Sequence, residues 1–310
     1  MFKSQEITYR DVLKSVQLSN NFVDVIIAKE FGPRIVHFGL RGQPNMFSLN
    51  EEQLHTFRES KQYQIVGGHR LWTAPEDLKS TYLPDNFPVT IEPIANGAIV
   101  SQPAGEITPF YKAMQIELSE KYPLVTMTHT IRNDGMWSIK MAPWALSVMA
   151  PGGLGIMPLP PRGSHSENLL PNGGLVFWPY TNFADPRWRW GFENICVQQE
   201  PSMEIPLKFG MAANIDWIGY ANHNALFVKK TSFKEGAEYP DRGTPYQIFL
   251  NHRILEVESM GPLTVLEPGQ TVIHTETWAL LENVEFPIND TVIKEDLQPR
   301  IEQVFNQSAA

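Results

Sequence analysis

The stretch from Ile254 to Leu280, ILEVESMGPLTVLEPGQTVIHTETWAL, constrains this chain most, because it alternates strand-like runs with two Gly/Pro turns. Successive side chains of a strand point to opposite sides, so Leu255 and Val257 share one face while Ile254, Glu256 and Glu258 share the other. Charged groups are rarely buried without partners, so that face is either solvated or the floor of a polar pocket.

The rest of the chain repeats the pattern. Alternation predicts strands at Val16–Leu18, Phe22–Ala28, Arg34–Leu40, Met114–Leu118, Leu124–Ile131 and Ser138–Met149, and again from Leu175 to Leu250. Asn96-Gly97 between two alternating runs predicts a tight hairpin. Pro151–Gly174 reads as a long loop and Pro179–Asn194 as an aromatic and cationic excursion. Glu51–Glu59 predicts a helical turn. A helix is expected only at the tail, about Asp290 to Phe305, with Asp290 as its N-cap. With 25 Pro and 21 Gly imposing many turns, the expected fold is all-β, a sandwich or barrel forming one domain over residues 1–310.

Composition excludes several functions. The formal net charge of -9 and the lack of any basic block argue against nucleic acid as a partner. Cys196 is the only cysteine, so no intramolecular disulfide or multi-cysteine metal site can form. The N-terminus has no apolar signal core, and no run of about 18 apolar residues follows, so no membrane partner and a cytoplasmic location are expected. Oligomeric state is not encoded in any readable way.

Phosphate-loop, HExxH, GxSxG and kinase signatures are all absent, and the histidines are too scattered to form a metal site by spacing. Neither cofactor nor metal is therefore expected. His129 alternates with Val125, Met127 and Ile131 and reads as a hydrogen-bonded core histidine. Aromatics do lie beside hydrogen-bonding side chains: Trp72 by His69 and Arg70, Trp178 and Tyr180 by Asp185 and Arg187, Trp217 by Asp216. Sugars need that pairing, because their C–H faces pack on rings while their hydroxyls take Arg, Asp and Glu. Core filling is the alternative, and it is the expected role of Trp188, Trp190 and Trp278.

GGHRLW followed by APED, then FWPYTNFADPRWRWG, YPDRGTPY and VESMGPLTVLEPGQTVIHTETWAL together resemble a poorly characterised bacterial family of the galactose-mutarotase-like, or aldose 1-epimerase-like, superfamily. The resemblance runs from about Phe22 to Leu281. It implies a large antiparallel β-supersandwich with a small-molecule carbohydrate site on the concave face of the larger sheet. By the same resemblance Glu258 is the general base at the anomeric hydroxyl, and His69 and Arg70 hold the sugar. The strand that should bring the catalytic histidine carries Trp144 instead, and His223 and His252 are the remaining candidates from other strands. Three readings follow. One is an epimerase-like enzyme using Glu258. Another is a non-catalytic carbohydrate-binding protein contacting sugar through His69, Arg70, Trp72, Trp144, Trp178, Tyr180, Arg187 and Asp216. In the third, the sandwich has a structural role and its acidic face is simply solvated.

Overall fold

The computed structural model describes residues 1–105 and 108–308. Among these, two antiparallel sheets of eleven and ten strands pack face to face. In the larger sheet the chain runs edge-inward through Lys3–Tyr9, Leu13–Ser19, Val23–Ala28, Arg34–Leu40 and His69–Ala74. It continues across Ile139–Met149, Leu255–Met260, Tyr246–Leu250 and Leu207–Ala212 to the edge strand Gly174–Phe177, while Thr264–Leu266 pairs with Ile139–Met149 alone. The second sheet is centred on Ala225–Thr231, Thr271–Glu282 and Leu124–Asn133.

Side-chain period explains the layering. In Leu124–Asn133, Val125, Met127, His129 and Ile131 are buried between the sheets while Thr126, Thr128 and Thr130 are half-exposed. His69–Ala74 and Leu255–Met260 are buried at every position, so the outer face of the larger sheet is covered at its centre. Between the sheets, Phe227 meets Phe38, Phe47 and Trp278 with ring centroids 5.8, 6.0 and 5.7 Å apart. The edge-to-face contacts with Phe38 and Phe47 join the sheets at mid-core, while Trp278 packs on Phe227 from the next strand of its own sheet.

Local features refine several sequence expectations. The hairpin turns on Ala95-Asn96, since Ile94 pairs with Gly97. Gly97 is needed for close approach, as a Cβ there would lie 1.7 Å from the Ile116 carbonyl oxygen. Gly67 and Gly68 take φ of +99° and +72° and let the chain turn under Ser48 into the strand that carries Arg70 and Trp72. The segment expected as loop contains the buried strand Leu154–Pro158, and the aromatic excursion contains Trp188–Trp190. The tail is helical as expected, but Asn289 caps it, accepting from Val292 N. Asp290 instead accepts from Glu193 N and Asn194 Nδ2, tying the helix start to the second sheet. No helix among the described residues is long and apolar enough to cross a membrane.

Phe227→Ala should destabilise the fold by about 3–5 kcal/mol through the cavity it leaves. Urea denaturation measures this, and a change below about 1 kcal/mol would show that the mid-core collapses to fill the space.

Candidate functional site

Register across four central strands places Arg70, Leu146, Glu258 and Gln247 in one row on the outer face of the larger sheet. The next row holds Trp72, Trp144 and Met260, and the row on the other side holds Val148, Glu256 and Phe249, with Lys208 opposite Phe249. The face bearing both carboxylates is therefore neither solvated nor open. Arg70, Trp72, Trp144, Lys208, Glu256 and Glu258 are all buried.

The polar groups on this floor are partly paired. Arg70 donates Nη2–H to Glu256 Oε1 at 2.7 Å and lies over the Trp72 ring at 4.2 Å. Glu258 Oε2 accepts from Lys208 Nζ and from Trp144 Nε1, both at 2.9 Å. The Lys208 ammonium also sits between the Trp144 and Trp178 rings, 4.6 and 4.8 Å from their centroids. Glu258 Oε1, Gln247 Oε1, Trp72 Nε1, and Nε and Nη1 of Arg70 are buried with no hydrogen-bond partner among the described residues. Such atoms are costly to leave unmatched and ordinarily mark a place for water or a ligand. Burial, with the Glu256 charge adding to it, pushes the Glu258 carboxyl up to about 7, against the pull of Lys208 and Trp144.

Aromatic side chains roof this floor. Tyr63 and Tyr82 pack edge-on against Trp72 at 5.3 and 5.0 Å. Half-buried Trp178 covers Lys208. Exposed Tyr180 has its phenol pushed up by burial and then by the charges of Glu258, Glu76 and Glu256, so it borders the same face.

The structure thus brings together Glu258, Arg70, Trp72, Trp144, Trp178 and Tyr180. It does not bring in His69, Arg187 or Asp216. His69 neighbours Arg70 on one strand, so it points to the opposite face and lies between the sheets. Arg187 is buried in a two-pronged pair with Asp185, at 3.0 and 2.8 Å, and also bonds the Ile205 carbonyl. Asp216 is exposed in a separate cleft of about 460 Å³ with Arg162 and Lys294, beside the helical tail. That cleft is open, but its charged groups are solvated rather than buried and unmatched, so the Glu258 face is the stronger candidate. Neither His223 nor His252 is among the groups that bond or charge Glu258. Sequence reading missed Lys208 and Gln247, which lie 50 and 11 residues before Glu258 with no distinguishing motif.

Directly behind the floor lies a second polar cluster. His129 Nδ1–H donates to the His274 carbonyl at 3.0 Å, so its Nε2 accepts from His69 Nε2–H at 2.8 Å, and His69 Nδ1 accepts from Ser147 Oγ–H at 2.9 Å. Glu276 pairs with Lys229 at 3.0 Å and accepts from Trp278 Nε1 at 2.8 Å. His69, His129 and Glu276 are close enough to ligate a metal ion together. Both ring nitrogens of each histidine already have partners, however, and the Lys229 ammonium already neutralises the carboxylate. The cluster is complete as a hydrogen-bonded core, in keeping with the reading of His129 from its alternation.

No protein-family model matches the chain, and no curated protein matches it either. Solved structures do resemble it. A proposed aldose 1-epimerase from Klebsiella pneumoniae superposes with a TM-score of 0.59 at 9% identity, over 94% of this chain and 84% of that one. A galactose mutarotase-like protein from Lactobacillus casei gives 0.55 at 10% identity, over 86% and 100%. Another from Clostridium acetobutylicum gives 0.54 at 11%, over 91% and 99%. The fold is thus the galactose-mutarotase-like β-sandwich.

The buried histidines give a pH prediction. Burial lowers the pKa of His69, His129 and His274, the last to about 3, so these rings stay neutral in the folded chain and bind protons on unfolding. Their contribution is full above about pH 6.5 and is lost as pH falls towards the folded values. Glu258 has the opposite sign, its raised pKa favouring the fold as pH falls from about 7 to 4.5. With three groups against one, urea midpoints should fall between pH 6.5 and 4; a flat or rising profile would contradict the neutral cluster.

Proposed function

We propose that the protein binds a carbohydrate on the Glu258 face and interconverts its anomers, with Glu258 as general base. The observation that carries this reading is the buried, unmatched Glu258 Oε1, on a carboxyl pushed up to about 7 and in contact with an ammonium through its other oxygen. The names of the structural neighbours support a sugar substrate by analogy of fold only.

Anomer exchange requires a proton to leave O1 while another reaches the ring oxygen. Both oxygens are bonded to the same carbon, so base and acid must be close together. Glu258 Oε1 takes the O1 proton, the O1 electron pair forms the carbonyl, the bond from C1 to the ring oxygen breaks, and Lys208 Nζ supplies the proton that the ring oxygen gains. Rotation about the C1–C2 bond and reversal of these transfers yields the other anomer. In this scheme Lys208 replaces the imidazole acid expected at the Trp144 position. Arg70 and Trp72 donate to neighbouring hydroxyls, Gln247 Oε1 accepts from one, and the Trp144 and Trp178 rings pack on the sugar. Access requires the roof of Tyr63, Tyr82, Trp178 and Tyr180 to swing aside.

Binding without turnover is the second reading, favoured by the fact that Lys208, Trp144 and Glu256, the groups that hold or charge Glu258, include no imidazole.

Anomer exchange of several aldoses, followed by NMR, tests the proposal. Glu258→Gln should slow kcat/KM by about 10²–10⁴-fold. The wild-type rate should fall as pH drops through about 7, because only the ionised carboxylate is a base. Sugar binding without exchange would transfer the assignment to the binding reading, and failure to bind any sugar would end both.

A further inference from the structure

We propose that Lys229 and Glu276, on the opposite sheet, are positioning residues for Glu258, an inference that rests on the reading of Glu258 as the reactive carboxylate. The strands Ile139–Met149 and Leu255–Met260 lie side by side, with Leu146 opposite Glu258. From Ala225–Thr231 in the other sheet, Lys229 crosses the interior and donates Nζ–H to the Ala145 carbonyl at 3.3 Å and to the Val257 carbonyl at 3.1 Å. Ala145 follows Trp144 and Val257 precedes Glu258 in the chain. On the far side of Glu258, Ser259 donates its hydroxyl to Glu276 Oε1, the oxygen that also pairs with Lys229.

Both chain neighbours of Glu258, and one neighbour of its partner Trp144, are thus gripped by one ion pair. Lys229, Glu276 and Ser259 are fully buried, so water cannot take over these bonds. Lys229 acts on the main chain, where an ammonium on a carbonyl lone pair resists a slide or twist of the strand, and Glu276 holds the Ser259 side chain. Glu276 is held in turn by Trp278 Nε1 and Lys229, and Ser259 by His274 Nε2 at 2.6 Å. Among the described residues nothing comparable holds Glu258 from the outer face, where its bonds run to the side chains of Lys208 and Trp144. A displacement of about 1 Å at a reacting group can cost about a hundredfold in rate, which is the scale on which such a brace matters.

Two variants test the brace. Ser259→Ala removes one link without changing any charge, and Lys229→Met combined with Glu276→Gln removes the ion pair without leaving a lone buried charge. The readouts are anomer-exchange kinetics and the titration midpoint of the Glu258 carboxyl by ¹³C NMR, with thermal melting as the folding control. Lys208, Glu256, Arg70 and Tyr180 face that carboxyl from the outer side and are unchanged in both variants. Ser259→Ala should remain folded, lower kcat about tenfold with little change in KM, and move the midpoint by at least about half a pH unit; the double variant should approach a hundredfold. In Ser259→Ala a purely structural role would lower melting temperature and leave the midpoint in place; in the double variant the Lys229 charge itself acts on Glu258, so there kcat is the readout. Folded Ser259→Ala protein with wild-type midpoint and wild-type kcat would overturn the proposal. Should wild type show no exchange at all, the catalytic reading fails separately and the midpoint alone decides the brace. If the double variant does not fold, Ser259→Ala decides it.

Discussion

Much of this structure depends on the ion pair between Lys229 and Glu276, buried between two sheets that are joined mainly by apolar and aromatic contacts and by a few hydrogen bonds such as His69–His129. Removing two charges from water is expensive, and their attraction offsets that cost only when the remaining donors and acceptors are satisfied. Here the Lys229 ammonium also has two main-chain carbonyls, and Glu276 has an indole and a hydroxyl. Burial raises the Glu276 pKa, but Lys229, the neighbouring His129 and His274 and the Ser259 hydroxyl together more than reverse this, so the carboxylate is held below its ordinary pKa. Removing either member alone would leave an uncompensated charge in the core.

The outer face of the same strands shows the contrasting case. Glu258 has a cation at the same kind of distance, yet Glu256 lies nearby and one carboxylate oxygen is unmatched, and its pKa is raised rather than lowered. A carboxyl poised near neutrality can exchange protons, whereas one locked in a complete network cannot. The two buried acids therefore differ in role because their surroundings differ.

The alternation of Leu255, Glu256, Val257 and Glu258 was enough to place both carboxylates on one face, whereas His69 and Arg70 were expected to hold the sugar together. Resemblance to a family suggested that pair together, and strand geometry separates them. The hairpin was readable but shifted by one residue, because Gly97 serves close packing against Ile116 rather than a left-handed turn. Leu154–Pro158 was hidden in a stretch dense with Gly and Pro, where its few apolar residues showed no period. Asn289 and Asp290 are both good caps, and only the fold shows that Asp290 is occupied by Glu193 and Asn194.

What the sequence determined by itself is local: the all-β class, most strand positions, the face of Glu258 and the helical tail, all of which follow from side-chain period and turn chemistry. What only tertiary structure decided is which distant residues meet. Lys208 reaches Glu258, Glu256 takes Arg70, and Lys229 crosses from the other sheet to the carbonyls of Ala145 and Val257. Those partners are fixed by strand order and by the packing of one sheet on the other, and a one-dimensional pattern with period two carries no record of either.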